Sequence, residues 1–171
     1  MISLEQPQHI HVVGVGGAGM SAIATVLTAM GHTVSGSDAR DSAVLARIAA
    51  AGVATQVGHT SDEVAHADAV TISTAVRDDN VAVIAARAAG IPVFSRADML
   101  AAICAQRATI AVAGTHGKST TTSMLSLILV EAGWHPSFII GGEVNEIGGG
   151  GVWGTGEWFV VEADESDGTF L

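Results

Sequence analysis

The sequence predicts an α/β protein: a parallel sheet wound with helices on both faces, followed by the start of a second α/β unit. Three features predict it. Short β-branched runs alternate with Ala-rich helical segments from residue 10 to residue 106. A glycine-rich turn joins a strand-like run to a helix-like run at 14–19 and again at 114–117. After residue 108 the strand–loop–helix order starts afresh.

The elements follow in order. Residues 10–15 (IHVVGV) form a buried strand, 16–19 a turn, and 21–30 an apolar helix stopped by Gly31. Strand 32–38 precedes helix 42–50, which Gly52 ends. Residues 53–58 give a third strand, and 61–67 a short helix with Ser61 as its N-cap. Strand 68–74, helix 79–90, strand 91–95 and helix 96–106 complete the first unit, with Pro92 marking a strand start or sheet edge. In the second unit, 109–114 is a strand, 119–133 a helix, and 137–142 and 157–162 further strands. The glycine content of 146–156 argues for a loop. These elements divide the chain into domains at 1–107 and 108–171. One helix and about three strands leave the second sheet with open edges, so the chain is expected to stop inside a domain.

Composition narrows the function. With 49% apolar residues in 171, the chain can bury a sizeable core. No apolar run approaches the roughly 20 residues of a membrane helix, and the N-terminus lacks the basic-then-apolar pattern of a signal peptide. Cys104 stands alone in an Ala-rich helix, as a small core residue in a reducing cytoplasm would. A net charge of −10 argues against a nucleic-acid partner. The seven histidines show no zinc-ligand spacing apart from His9 and His11, which read as strand residues. Lys118 is the only lysine.

GVGGAG at 14–19 fits G-x-G-x-x-G through Gly14, Gly16 and Gly19, in the strand-to-helix context the motif requires. There the helix N-terminus offers unpaired amides and a partial positive charge to a diphosphate. Asp38 ends the next strand, where an acidic side chain can accept hydrogen bonds from a ribose. The alternative is a turn that only lets helix and strand pack. Ser73, Thr74 and Arg96 lie at further strand ends, where ligands of open α/β sheets sit. They serve equally as caps and surface charge.

VAGTHGKSTTTSM (112–124) places Gly-Lys-Ser at a second strand-to-helix turn. A lysine at a helix start opposes the macrodipole. A phosphate would justify it: backbone amides surround the anion, Lys118 pairs with its oxygens, and the Ser119 hydroxyl serves a magnesium ion. The spacing is short for the usual phosphate loop, because Val112 stands where the first glycine is expected. Downstream, WFVV delivers Glu162 to a strand end, followed by Asp164, Glu165 and Asp167. Such a run is ordinarily a solvated acidic loop. With Lys118-Ser119 some 43 residues earlier, Glu162 becomes a candidate magnesium ligand.

Together GVGGAGMSAIA (14–24), VSGSD (34–38), STAV (73–76), RADML (96–100), AGTHGKSTTTSML (113–125), GGEV (141–144) and EADESDGTFL (162–171) resemble the Mur ligase family of bacterial cell-wall synthesis. The family's shortened loop G-T-x-G-K-[ST] accounts for Val112. His116 resembles the alanine-adding and the murein-tripeptide branches, and EADESD with the residues after it looks more like the alanine-adding one, which usually has Thr where this chain has Ser119. The resemblance implies a first, Rossmann-like domain that binds UDP-N-acetylmuramate, not NAD. Gly14, Gly16, Gly17, Ala18, Gly19, Met20 and Ser21 would cradle the diphosphate, with Asp38, Ser73, Thr74 and Arg96 completing that site. It implies a P-loop-type second domain that binds ATP through Gly114, Thr115, His116, Gly117, Lys118, Ser119 and Thr120. Lys118 and Glu162 would be catalytic, and Ser119 and Glu162 would hold Mg2+. Family members continue well past this length, so the chain is expected to be an N-terminal fragment, inactive alone. Three rivals remain: an NAD-dependent oxidoreductase, a P-loop kinase or NTPase, and a non-catalytic nucleotide-binding module.

Overall fold

A computed structural model describes residues 2–141 and 150–163. Two sheets organise the chain. The first contains β1 (His9–Val13), β2 (Thr33–Asp38), β3 (Ala54–Val57), β4 (Ala69–Ile72) and β5 (Val93–Ser95), all parallel, in the order β3-β2-β1-β4-β5. The second contains β6 (Ala108–Val112), β7 (Ser137–Ile139), β8 (Gly151–Val152) and β9 (Trp158–Glu162), in the order β6-β9-β7-β8. Its first three strands run parallel and β8 antiparallel to β7.

Among the described residues five helices cover these sheets: α1 (Ala18–Ala29), α2 (Ala43–Ala50), α3 (Val81–Ala88), α4 (Arg96–Cys104) and α5 (Lys118–Glu131). Strand alternation sorts the core. Ile10, Val12 and Val34 point to the face covered by α1, α2 and α4, whereas Val13 and Val70 pack with Ala82 and Ala86 of α3 on the other face. In the second sheet, Ile139, Phe159 and Val161 join the α1 cluster, and Phe138, Ile140 and Val160 pack with Leu129 of α5. Helix α1 is therefore a shared middle layer. That position explains why it is apolar nearly all round, with Met20 through Ala24, Val26 and Leu27 buried.

Two expected elements differ. Residues 61–67 do not form a helix; only Asp62–Val64 makes one 3-10 turn. The Ser61 hydroxyl donates to Asp62 Oδ1 at 3.2 Å instead of capping the turn. Residues 151 and 152, expected in a loop, are strand β8, so the second sheet has four strands among the described residues. Glycine here is a packing requirement: a Cβ on Gly151 would lie 2.6 Å from the Ala22 carbonyl oxygen on α1. Pro92 lies just before β5, the sheet-edge strand, as its missing N–H demands. Of the helices, α4 has the best-defined start. Ser95 Oγ accepts from Asp98 N at 3.1 Å, and Asp98 Oδ2 accepts from Ser95 N at 3.0 Å, a capping box.

Gly151→Val should therefore destabilise the chain by about 1–3 kcal/mol, the usual cost of overpacking, because α1 backbone cannot retreat while held on its other face. Urea unfolding with tryptophan fluorescence would measure it.

Candidate functional site

The carboxyl ends of β1, β2 and β4 open into a cleft of about 390 Å³ lined by Gly14, Gly17, Asp38, His59, Ser73 and Val76, among others. The sheet order reverses beside β1, so this is the switch-point crevice where open α/β sheets take ligands. The β1–α1 turn is fixed from β2: Gly14 N and Val15 N both donate to Ser37 O, at 2.8 and 3.1 Å. Asp38 Oδ2 accepts from Gly16 N at 2.9 Å and Oδ1 from Arg40 N at 3.2 Å. Asp38 thus lines the cleft and also pins the glycine turn. Gly17 is the N-cap of α1, without a side-chain capping bond.

A second cleft of about 430 Å³ adjoins the first at Gly17 and Ser73. It gathers Gly19, Met20 and Arg96 from the first unit with Lys118, Ser119 and Glu162 from the second. Arg96 is the first residue of α4, aimed by the Ser95 cap, and its guanidinium lies against Gly19, where a Cβ would come 2.8 Å from Nε. Lys118 opens α5 and donates from Nζ to Gly114 O at 2.8 Å, which closes the loop on itself. Register brings Glu162 to this loop, since β9 pairs with β6 at Val112↔Glu162. Ser119 Oγ donates to Glu162 Oε2 at 3.0 Å, and Gly141 N donates to Oε1 at 2.8 Å.

The remaining expected residues are less central. Ser21 is buried and its hydroxyl donates to Ala18 O within α1 at 2.9 Å. Thr74 is exposed and borders the shallower surface around Arg77 instead of either cleft. Thr115, His116 and Thr120 are exposed beside the Lys118 loop. Asp164, Glu165 and Asp167, together with residues 142–144 and 164–171 of the family-like motifs, lie outside the described residues.

Sequence reasoning missed a polar cluster under the first cleft. On the face of the first sheet opposite α1, His9 and His11 of β1 face Ser35 and Ser37 of β2. Where a helix normally covers the sheet, the β3–β4 connection offers only the 3-10 turn, which delivers Glu63. His11 Nε2 lies 3.2 Å from Glu63 Oε2, with both side chains almost fully buried. Burial lowers the His11 pKa to about 4, with His9 and His59 adding to the effect and Glu63 opposing it. Spacing in the sequence gave no signal for this cluster beyond the i, i+2 pairs His9/His11 and Ser35/Ser37.

The Mur ligase family catalytic-domain model matches residues 9–108. UDP-N-acetylmuramate–L-alanine ligases of Paracidovorax citrulli and Leptothrix cholodnii are each 56% identical over 164 residues, 96% of this chain. The chain spans about a third of those relatives, 34% and 35% of their lengths. Among solved structures, MurC of Thermotoga maritima superposes with a TM-score of 0.84 at 31% identity, covering 91% of this chain and 37% of that one. A murein peptide ligase of Psychrobacter arcticus gives 0.85 at 31% identity, covering 92% and 38%. The chain belongs to the Mur ligase family.

The buried histidine makes acid destabilising. Because the native pKa of His11 lies below the unfolded value of 6.5, the unfolded chain binds more protons between them. The stability His11 supports is complete above about pH 6.5 and is lost as pH falls towards 4. His11→Gln should be less stable at neutral pH yet lose less stability between pH 7 and 4.5. Urea midpoints across that range would check it.

Proposed function

We propose that the chain is the part of a UDP-N-acetylmuramate–L-alanine ligase that holds the UDP-sugar and ATP. One observation carries the reading: Arg96 of the first unit and Lys118 of the second line a single cleft beside the paired Ser119 and Glu162. The names of the relatives support the substrate. Residues 1–107 are the UDP-substrate domain and 108–171 the first part of the ATP domain. Among the described residues no helix is long and apolar enough to cross a membrane.

The first cleft takes the uridine and ribose. Gly14 to Ser21 bring the α1 N-terminus to the diphosphate, so backbone amides carry its charge. The muramate carboxylate then reaches the second cleft, where Arg96 orients it. ATP lies along the Gly114–Thr120 loop, where a phosphate would draw the Lys118 ammonium away from Gly114 O. A hydroxyl and a carboxylate 3.0 Å apart suit magnesium, which takes few protein ligands, all oxygen, beside phosphate and water. When bound, Mg2+ neutralises phosphate charge. Transfer of the γ-phosphoryl group converts the carboxylate to an acyl phosphate and releases ADP. The L-alanine amine attacks that carbonyl, expelling phosphate and losing a proton to leave the amide. Lys118 stabilises charge on the transferring group, and the chain supplies positioning more than covalent chemistry.

Calorimetric titration of this chain should show binding of UDP-N-acetylmuramate and none of NADH. The reverse preference would support the oxidoreductase rival. In the complete ligase, Lys118→Ala should lower L-alanine-dependent ADP release about 100-fold or more. Unchanged turnover would remove that lysine from the mechanism.

A further inference from the structure

The buried polar cluster ends at the nucleotide cleft, and its hydrogen bonds have a direction. Glu63 is the fixed point. Its Oε1 accepts from Thr60 N at 2.6 Å and from Gln56 Nε2 at 2.8 Å, while Oε2 lies 3.2 Å from His11 Nε2. A carboxylate only accepts. A bare ring nitrogen facing it would be repelled, so His11 carries its proton on Nε2. That N–H is directed to Ser37 Oγ, 3.2 Å away, with Glu63 Oε2 as its ionic neighbour and not a hydrogen-bond partner. With its oxygen accepting there, the Ser37 hydroxyl donates to His59 Nδ1 at 2.9 Å. A neutral His59 accepting at Nδ1 has its proton on Nε2.

The opposite branch agrees. His11 Nδ1, left as an acceptor, takes the Ser35 hydroxyl proton at 2.9 Å, and Ser35 Oγ accepts from His9 Nε2 at 2.8 Å. His9 Nδ1 faces the His66 carbonyl at 2.9 Å. Both ring nitrogens of His9 thus face oxygens, the His66 carbonyl and the Ser35 hydroxyl. This residue stands at the outer end of the chain, where His9 N also binds Asp68 Oδ2.

We infer that Glu63, His11 and Ser37 form a relay that holds His59 as a neutral Nε2–H donor to the nucleotide in the first cleft. This rests on the reading of that cleft as a UDP site. Glu63, His11 and Ser37 are positioning residues, and His59 is a binding residue selective for a ligand acceptor such as a base carbonyl or ribose oxygen. The groups that touch the relay are Ser35, Gln56, Thr60 and His59, with His9 close to His11.

Two measurements on the intact 171-residue chain test the relay. Long-range ¹⁵N–¹H spectra of the histidine rings report tautomers without ligand. They should show His59 and His11 protonated at Nε2 near pH 7.5. Calorimetry with UDP as the probe should give about 3- to 10-fold weaker binding for Ser37→Ala, the effect of one neutral hydrogen bond, with Thr25→Ala, remote from the cleft, unchanged. Glu63→Gln, which preserves shape but can donate, should mix the His11 and His59 tautomers and weaken UDP binding in step. A His59 proton fixed on Nδ1, or parental affinity in a folded Ser37→Ala chain, overturns the relay. The expected tautomers with no UDP binding by the parent would instead sustain the relay and defeat the nucleotide reading of the cleft.

Discussion

Everything at the two clefts depends on helix α1 being held from both sides. Its inner face packs on the first sheet through Ile10, Val12 and Val34, and its outer face meets Ile139, Phe159 and Val161 of the second. Gly151 lets β8 backbone approach the Ala22 carbonyl directly. A helix packed on two sheets has no free direction to rock, because protein interiors resist compression. Its N-terminus at Gly17–Gly19 is thereby fixed in relation to the Lys118 loop, though they belong to different sheets. The separation of two bound anions would be set by the core and not by mobile side chains.

Much of this could be read from residue types, and the reasons are local. The strand–glycine–helix junctions at 14–19 and 114–117 were legible because φ/ψ freedom and helix capping are decided within a few residues. The parallel alternation was legible because each strand and helix has its own period. Strand β8 was not: Val152 favours a strand, but it follows a run of glycines that do not, and the pair extends only because β7 and α1 hold it. The turn at Asp62–Val64 failed for the complementary reason. Its capping pattern suggested a helix, but the buried Glu63 is drawn to His11 and its Oε1 to Thr60 N, which stops the helix after one turn. His59 could not be singled out, because its place comes from tertiary bonding through Ser37, not from spacing.

The polar cluster and the apolar core divide one sheet between them. Facing α1, β1 contributes Ile10 and Val12, each removing apolar surface worth roughly 1.5–3 kcal/mol from water. On the reverse, His9 and His11 meet Ser35 and Ser37 under a connection too short to supply a helix face. Filling that space with apolar side chains would satisfy packing equally well. Buried polar groups instead cost free energy unless every one is bonded. They do confer register: shifting β2 by one residue would turn Ser35 and Ser37 away from both histidines.

Charge placement completes the picture. The chain carries a net charge of −10, yet its proposed ligands are anions. Two cations, Arg77 and Arg87, sit on the surface in exposed pairs with Asp79 and Asp78, where ion pairs contribute little. Arg96 and the chain's only lysine are gathered in the second cleft. The first cleft presents a helix N-terminus, backbone amides and, through the relay, a neutral histidine N–H, with Arg77, already paired to Asp79, along its lining. This division suits the chemistry proposed. A diphosphate that must be bound and later released is well served by dipoles, whose attraction is modest. Charge that develops during phosphoryl transfer needs full cations at a fixed distance. Between the two, α1 supplies the rigid link: its N-terminal turn borders both clefts through Gly17, and its body is the layer on which both sheets rest.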